Sequence, residues 1–154
     1  MYETIVIPLD GSRLAEHALP HGIALAQAFG SKIVLARAYD PLASLAPGMA
    51  GVDGGFTSAE LIEATAEQFE REAESYLEDP RQTVSAFGVP VEAVVVRGSP
   101  VAALVDVIEA QQAALVVMTS RGRGGLKRFV LGSVTDALLH RLETPVLIVP
   151  NRPD

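Results

Sequence analysis

Five short runs of aliphatic and β-branched residues punctuate the chain, and stretches with helical spacing separate each from the next. The runs are residues 4–9 (TIVIPL), 32–39 (KIVLARAY), 91–97 (VEAVVVR), 114–119 (ALVVMT) and 145–149 (PVLIV). A strand that is apolar throughout must be covered on both faces, and a helix between successive strands is the crossover that parallel pairing requires. The pattern predicts an α/β fold: an open five-stranded parallel sheet with helices on both faces and the strand order 3-2-1-4-5. At 154 residues the chain fits one such domain, spanning 1–154, and shows no internal repeat.

The connecting segments carry their own punctuation. After the first strand, Ser12 is placed to cap a helix whose buried face is Ala15, Ala18, Leu19, Gly22, Ile23 and Ala26, with Gly30 as its stop. Pro20 is expected to kink that helix, because it removes a backbone donor. Residues 40–56 are Pro- and Gly-rich without a period and read as a long loop. Thr57 to Glu60 has the form of a capping box opening a long helix, with Ile62, Ala66, Phe69, Ala73 and Tyr76 inward and Glu63, Glu67, Glu70, Glu74 and Glu78 in solvent. Pro80 is expected to interrupt this helix, and Phe87–Gly88 to end its continuation. Ser99 and Pro100 have the residue types of an N-cap and first helical position, and residues 132–142 form the last helix.

Charge and composition narrow the function. Against 19 acids stand 12 Lys and Arg, a formal net charge of −7, which disfavours nucleic acid and anionic membranes as partners. There is no cysteine, so disulfides, thiolate metal sites and cysteine nucleophiles are all excluded. No apolar run is long enough to span a bilayer, and the first residues lack a basic leader, so the reading is a cytoplasmic protein. His17 and His21 have an i, i+4 spacing that suits zinc, but no third ligand accompanies them, and surface histidines are the simpler reading. His140 falls near a helix end, where the macrodipole favours a cation.

Open parallel sheets bind ligands beyond the carboxyl ends of their strands, where the winding reverses. With strands one and four adjacent, Asp10–Gly11 and the segment from Thr119 to Ser133 face one crevice. That segment gathers Arg121, Arg123, Lys127 and Arg128 with no carboxylate between Glu109 and Asp136. A P-loop is excluded, since no Gly-Lys-Ser/Thr occurs, and the first turn, DGSRLA, is not a dinucleotide fingerprint. What remains is Gly122, nine residues, then Gly132–Ser133 at a helix start, where backbone N–H groups favour phosphate. Ser133 with Asp136 also fits a capping box, so Ser133 can be read as a cap alone, and Asp10 as a turn residue alone.

The stretches VIPLDGS, SRGRGGLKRFVLGSV and TPVLIVP together resemble the universal stress protein family over essentially the whole chain. The resemblance implies a small α/β fold of five parallel strands, usually dimeric, and in one branch ATP binding through G-x-x-G-x9-G-[ST]. Carried over, it implies that Gly122, Gly132 and Ser133 hold phosphates and ribose, that Asp10 with Pro8 contacts the adenosine part, and that Ala38 lines the adenine pocket. The implied binding set is Pro8, Asp10, Ala38, Thr119, Ser120, Arg121, Gly122, Arg123, Gly132, Ser133 and Val134, with Mg2+ carried by the phosphates of ATP. No catalytic residue is expected, only slow hydrolysis at most, and a homodimer is expected through residues 145–149. Thr119 stands where the motif has its first glycine. If that position needs positive φ, a β-branched residue strains it; alternatively its hydroxyl bonds the nucleotide. Two other readings stand beside ATP binding: a dimeric interaction module that binds no ATP, and a phosphoryl- or nucleotidyl-transfer enzyme using Asp10.

Overall fold

The computed structural model describes residues 1–43, 58–120 and 131–151. In chain order the elements are β1 (Thr4–Pro8), α1 (Arg13–Glu16), α2 (Leu19–Phe29), β2 (Lys32–Tyr39), α3 (Ser58–Ala86), β3 (Val91–Arg97), α4 (Pro100–Ala110), β4 (Leu115–Thr119), α5 (Ser133–Arg141) and β5 (Val146–Val149). The strands form one sheet ordered β3-β2-β1-β4-β5, every neighbouring pair parallel, as the alternation of strand and helix predicted. The expected loop over 40–56 is described only to residue 43, and Thr57 of the expected capping box lies outside the described residues.

The two-residue period of the strands divides the core into two layers. Ile5, Ile7, Ile33, Leu35, Leu115 and Val117 point to one face, where α1, α2 and α3 contribute Ala15, Leu19, Ile23, Leu77 and Val84. Val6, Val34, Ala36, Val116 and Met118 point to the other, against Leu104, Val107 and Ile108 of α4 and Leu138 of α5. β1 and β4 are buried along their whole lengths, which is why their sequences do not alternate. All six residues read as the inward face after Ser12 are buried. Gly22 matters there: a Cβ at this position would meet the end of the Ile7 side chain, which would have to turn aside for α2 to lie this close to β1.

Prolines behaved differently from expectation. Pro20 does not kink one helix; the helix divides at His17 and Ala18, whose N–H groups bond the carbonyls of Leu14 and Ala15 at 3.2 Å. Pro20 then falls in the first turn of α2, where a missing donor costs nothing. Pro80 does not interrupt α3, which runs unbroken for 29 residues with Pro80 inside it. Its ring is buried on the stripe that Ala66, Ala73, Leu77 and Val84 share. Packing of that stripe offsets the roughly 3 kcal/mol an interior proline costs. Of the expected inward residues, Ala66 and Ala73 are buried and Ile62, Phe69 and Tyr76 half-buried. Gly88, at φ 73°, closes the helix as expected.

Candidate functional site

The register Ile5↔Leu115 and Val6↔Val116 brings the carboxyl ends of β1 and β4 side by side on one edge of the sheet. On the other side of β1 the edge is stepped. Pro8 pairs with Ala36, but β2 continues to Tyr39 with β3 beside it to Arg97. Arg37 and Ala38 sit on this step, above the end of β1. By strand alternation they face opposite ways: Ala38 packs against the layer of α4 and α5, while Arg37 meets α3.

The turn after β1 is tied by its own side chains. Asp10 Oδ1 accepts from the Ser12 backbone N–H at 2.9 Å and from Ser12 Oγ at 2.6 Å, and Gly11 takes φ 89°, a conformation that suits glycine. Ser12 Oγ accepts in turn from the N–H of Ala15 at 3.2 Å, capping α1 as the sequence indicated. From α3 the Tyr76 hydroxyl donates to the Ser12 carbonyl at 3.3 Å, and the Arg37 guanidinium lies 4.7 Å from the centre of its ring. Burial and the neighbouring Glu16 and Asp10 carboxylates push the Tyr76 hydroxyl well above its ordinary pKa, only partly opposed by Arg37. The phenol stays protonated at any physiological pH.

The end of β4 is tied by backbone. Thr119 remains in the strand, 5 % exposed and paired with Val149, and Gln112 is the only non-glycine with positive φ among the described residues. The strained alternative for Thr119 therefore falls away. Its carbonyl accepts from Thr135 Oγ1 of α5 at 3.2 Å, in a buried bond. Ser120 follows as a knot: its N–H bonds the Val149 carbonyl at 2.9 Å, its carbonyl accepts from Gly132 N–H at 2.8 Å, and its Oγ accepts from Asn151 N–H at 3.3 Å. The bond from Gly132 joins the two ends of the segment that carries the glycine motif.

Gly132, not Ser133, is the N-cap of α5, with φ −61° and ψ 150°. Ser133 is the first helical residue and is exposed, so the capping-box reading fails by one position. No side chain caps this helix among the described residues, and its first N–H groups open on the carboxyl edge of the sheet. Val134 packs against the α4–α5 layer. At α4, Ser99 and Pro100 take the expected positions, but the Ser99 hydroxyl does not cap. Arg121, Gly122 and Arg123 lie outside the described residues, as do Gly124, Gly125, Lys127 and Arg128.

The structure thus brings Pro8, Asp10, Ala38, Thr119, Ser120, Gly132, Ser133 and Val134 to one edge. Tyr76, Arg37, Glu16 and Thr135 join the two turns without having been singled out as site residues; nothing in their spacing marks them. A recess of about 720 Å³ lies between α1–α2 and α3; Arg13 and Glu16 line it beside the β1 turn, and Leu19, Ile23 and Phe87 line it farther along the helices. It contains none of the expected site residues, so the crevice, where two turns and a helix N-terminus converge, is the better candidate. Among the described residues no group of three His, Cys, Asp or Glu side chains could hold a metal. His17 and His21 are exposed, His17 at the end of α1 and His21 in α2. No described helix is long and apolar enough to cross a membrane.

Comparison with known proteins gives this geometry a context. The family model described as "Universal stress protein family" matches residues 1–150. A universal stress protein of Synechocystis sp. is 31 % identical over 151 residues, covering 96 % of this chain and 97 % of the relative. The solved structure of MJ0577, a universal stress protein of Methanocaldococcus jannaschii, superposes with a TM-score of 0.84 at 26 % identity, over 100 % of this chain and 99 % of that one. A universal stress protein solved in complex with cAMP superposes with a TM-score of 0.62 at 28 % identity, covering 98 % of both chains.

Proposed function

The chain belongs to the universal stress protein family, and from that premise we propose that it binds ATP, with Mg2+ on the phosphates, at the carboxyl edge of β1 and β4. The observation that carries the reading is the start of α5. A helix N-terminus that no described side chain caps opens at the end of β4, and the Ser120–Gly132 bond holds both ends of the motif segment there. A related protein solved with cAMP supports an adenine nucleotide as the ligand class. Backbone N–H groups of Gly122, Ser133 and Val134 receive the phosphates, helped by the Ser133 hydroxyl; Gly132, whose own N–H is held by the Ser120 carbonyl, lets the ligand approach closely, and Arg121 and Arg123 add charge. Thr119 and Ser120 carry the start of the motif segment. Pro8 and Asp10 meet the adenosine part, and Ala38, on the step of β2, lines the adenine pocket.

The chain acts in the cytoplasm as a nucleotide-dependent sensor or regulator rather than as an enzyme. None of the three histidines lies in the described parts of the two turns, and Asp10 Oδ1 is engaged by the Ser12 N–H and hydroxyl. Turnover faster than about 1 s⁻¹, a typical lower enzymatic value, would overturn this. The partner is a second copy, added along β5: this strand pairs with β4 on one side only, and Leu147 is 37 % exposed on it. Sedimentation of the intact chain as a dimer, and of Leu147→Asp as a monomer, is the expected result.

Denaturing freshly purified protein and chromatographing the supernatant tests the ligand directly, and an adenine nucleotide is expected. Mg-ATP should raise Tm by an amount that grows with ligand concentration. Neither signal at millimolar ATP would replace this reading with that of a dimeric interaction module.

A further inference from the structure

Asp10 and Tyr76 are far apart in sequence, yet one hydrogen bond joins the turn of the first to the helix of the second, across 64 positions from Ser12. The Asp10 carboxylate is oriented by what its own turn does, since Oδ1 receives both the N–H and the hydroxyl of Ser12. A shift of Ser12 is therefore passed to Oδ1 through both bonds. The Tyr76 hydroxyl reaches the Ser12 carbonyl, in the peptide unit that follows the N–H held by Asp10, and lies within hydrogen-bonding reach of the Glu16 carboxylate of α1 as well. The ring is itself seated: Arg37, from the step of β2, lies over it at 4.7 Å, and Leu77, the next residue of α3, is fully enclosed in the core. α3 thus fixes the phenol, and the phenol fixes the turn.

We infer that Tyr76 is a positioning residue for the crevice, a latch by which α3 and the protruding end of β2 set the orientation of the Asp10 carboxylate. That Asp10 meets the nucleotide rests on the function proposed above; the latch itself does not. A phenol held on this carbonyl is a directional device, and phenylalanine in its place keeps the ring and its packing while removing the donor alone. The inference therefore separates geometry from bulk.

The test is Tyr76→Phe in the full chain, read in two ways. In ¹H–¹⁵N spectra without ligand, the amide signals of Gly11 and Ser12 should shift and exchange faster with solvent, while that of Leu138 on the opposite face stays in place. In calorimetric titration with Mg-ATP, affinity should fall about fivefold, the effect of one ordinary hydrogen bond. It should fall no further when the change is made in an Asp10→Ala background. Unmoved Gly11 and Ser12 amides overturn the latch, and so do effects of the two substitutions that add. If the parent chain binds no Mg-ATP, the proposed function fails, and the amide signals alone decide for or against the latch.

Discussion

The two turns that form the crevice are built on opposite plans. The turn after β1 is four residues long and is organised by side chains: an aspartate folded onto Ser12, a serine cap, and a tyrosine reaching in from α3. The connection after β4 is long, and its described ends are held largely by backbone: Ser120 bonds Val149 on one side and Gly132 on the other, while the Thr135 hydroxyl grips the Thr119 carbonyl and the Ser120 hydroxyl oxygen accepts from Asn151. Backbone bonds hold whatever the residue identity, so the β4 connection is free to use glycine wherever a ligand needs close approach. The β1 turn has no such freedom. Its shape is its side chains, and a change to one of them is a change to the site.

That contrast can be broken at several points. The largest effect is expected at Gly122. With valine there, Mg-ATP affinity should drop by more than about 100-fold, the loss of roughly 3 kcal/mol of close phosphate contact, with Tm of the free protein hardly altered. Thr119→Gly, which restores the family pattern, should instead leave affinity within about threefold, because Thr119 already adopts an ordinary strand conformation. It should lower Tm, since a glycine inside a strand costs about 0.5–1 kcal/mol before any lost burial. Isothermal titration and thermal melts on the pair separate the two roles; the opposite pattern would mean that Thr119, not Gly122, governs binding.

A smaller effect is expected at the clasp. Thr135→Val keeps the shape and removes the donor to the buried Thr119 carbonyl, costing about 1 kcal/mol, or some 2–4 °C in Tm for a chain of this size. The smallest effect is a pH dependence peculiar to the β1 turn. Tyr76 has its pKa raised above the ordinary 10.0 by burial and by the Glu16 carboxylate, with Asp10 adding and Arg37 opposing. The folded state therefore holds this proton more tightly than the unfolded state. The stability it contributes is complete below pH 10 and is lost as pH climbs from there toward the folded value. Thermal melts above pH 10 should fall less steeply in Tyr76→Phe than in the parent. Tyr39, half-buried and also raised, chiefly by burial, supplies part of the slope that remains.

What the sequence disclosed and what it hid follow the same division. The parallel strands, the buried face from Ala15 to Ala26 and the Ser12 cap were legible because each follows from patterns within or between successive segments. The Pro80 break was wrongly expected because a rule about local backbone takes no account of a packed stripe that continues through the proline. Ser133 was misplaced by one residue because serine and glycine both suit an N-cap, and the Ser120 bond to Gly132 decides between them. Tyr76 was legible only as one more inward residue of a helix. Its partner carbonyl belongs to a turn 64 residues earlier, and no periodicity encodes that meeting.

The length of α3 has a further consequence. Twenty-nine residues of helix extend about 43 Å, whereas the eight residues of β2 reach only about 26 Å. One end of the helix must overhang the sheet. Its fully buried contacts begin at Ala66 and cluster from Ala73 to Val84, while the first two turns expose Leu61 and Ala64 and are braced at the surface by the Glu63–Arg97 ion pair. With so few buried contacts, the first turns of the helix should open at a lower cost than the stretch from Ala73 to Val84, and Tyr76 stands inside that firmer stretch.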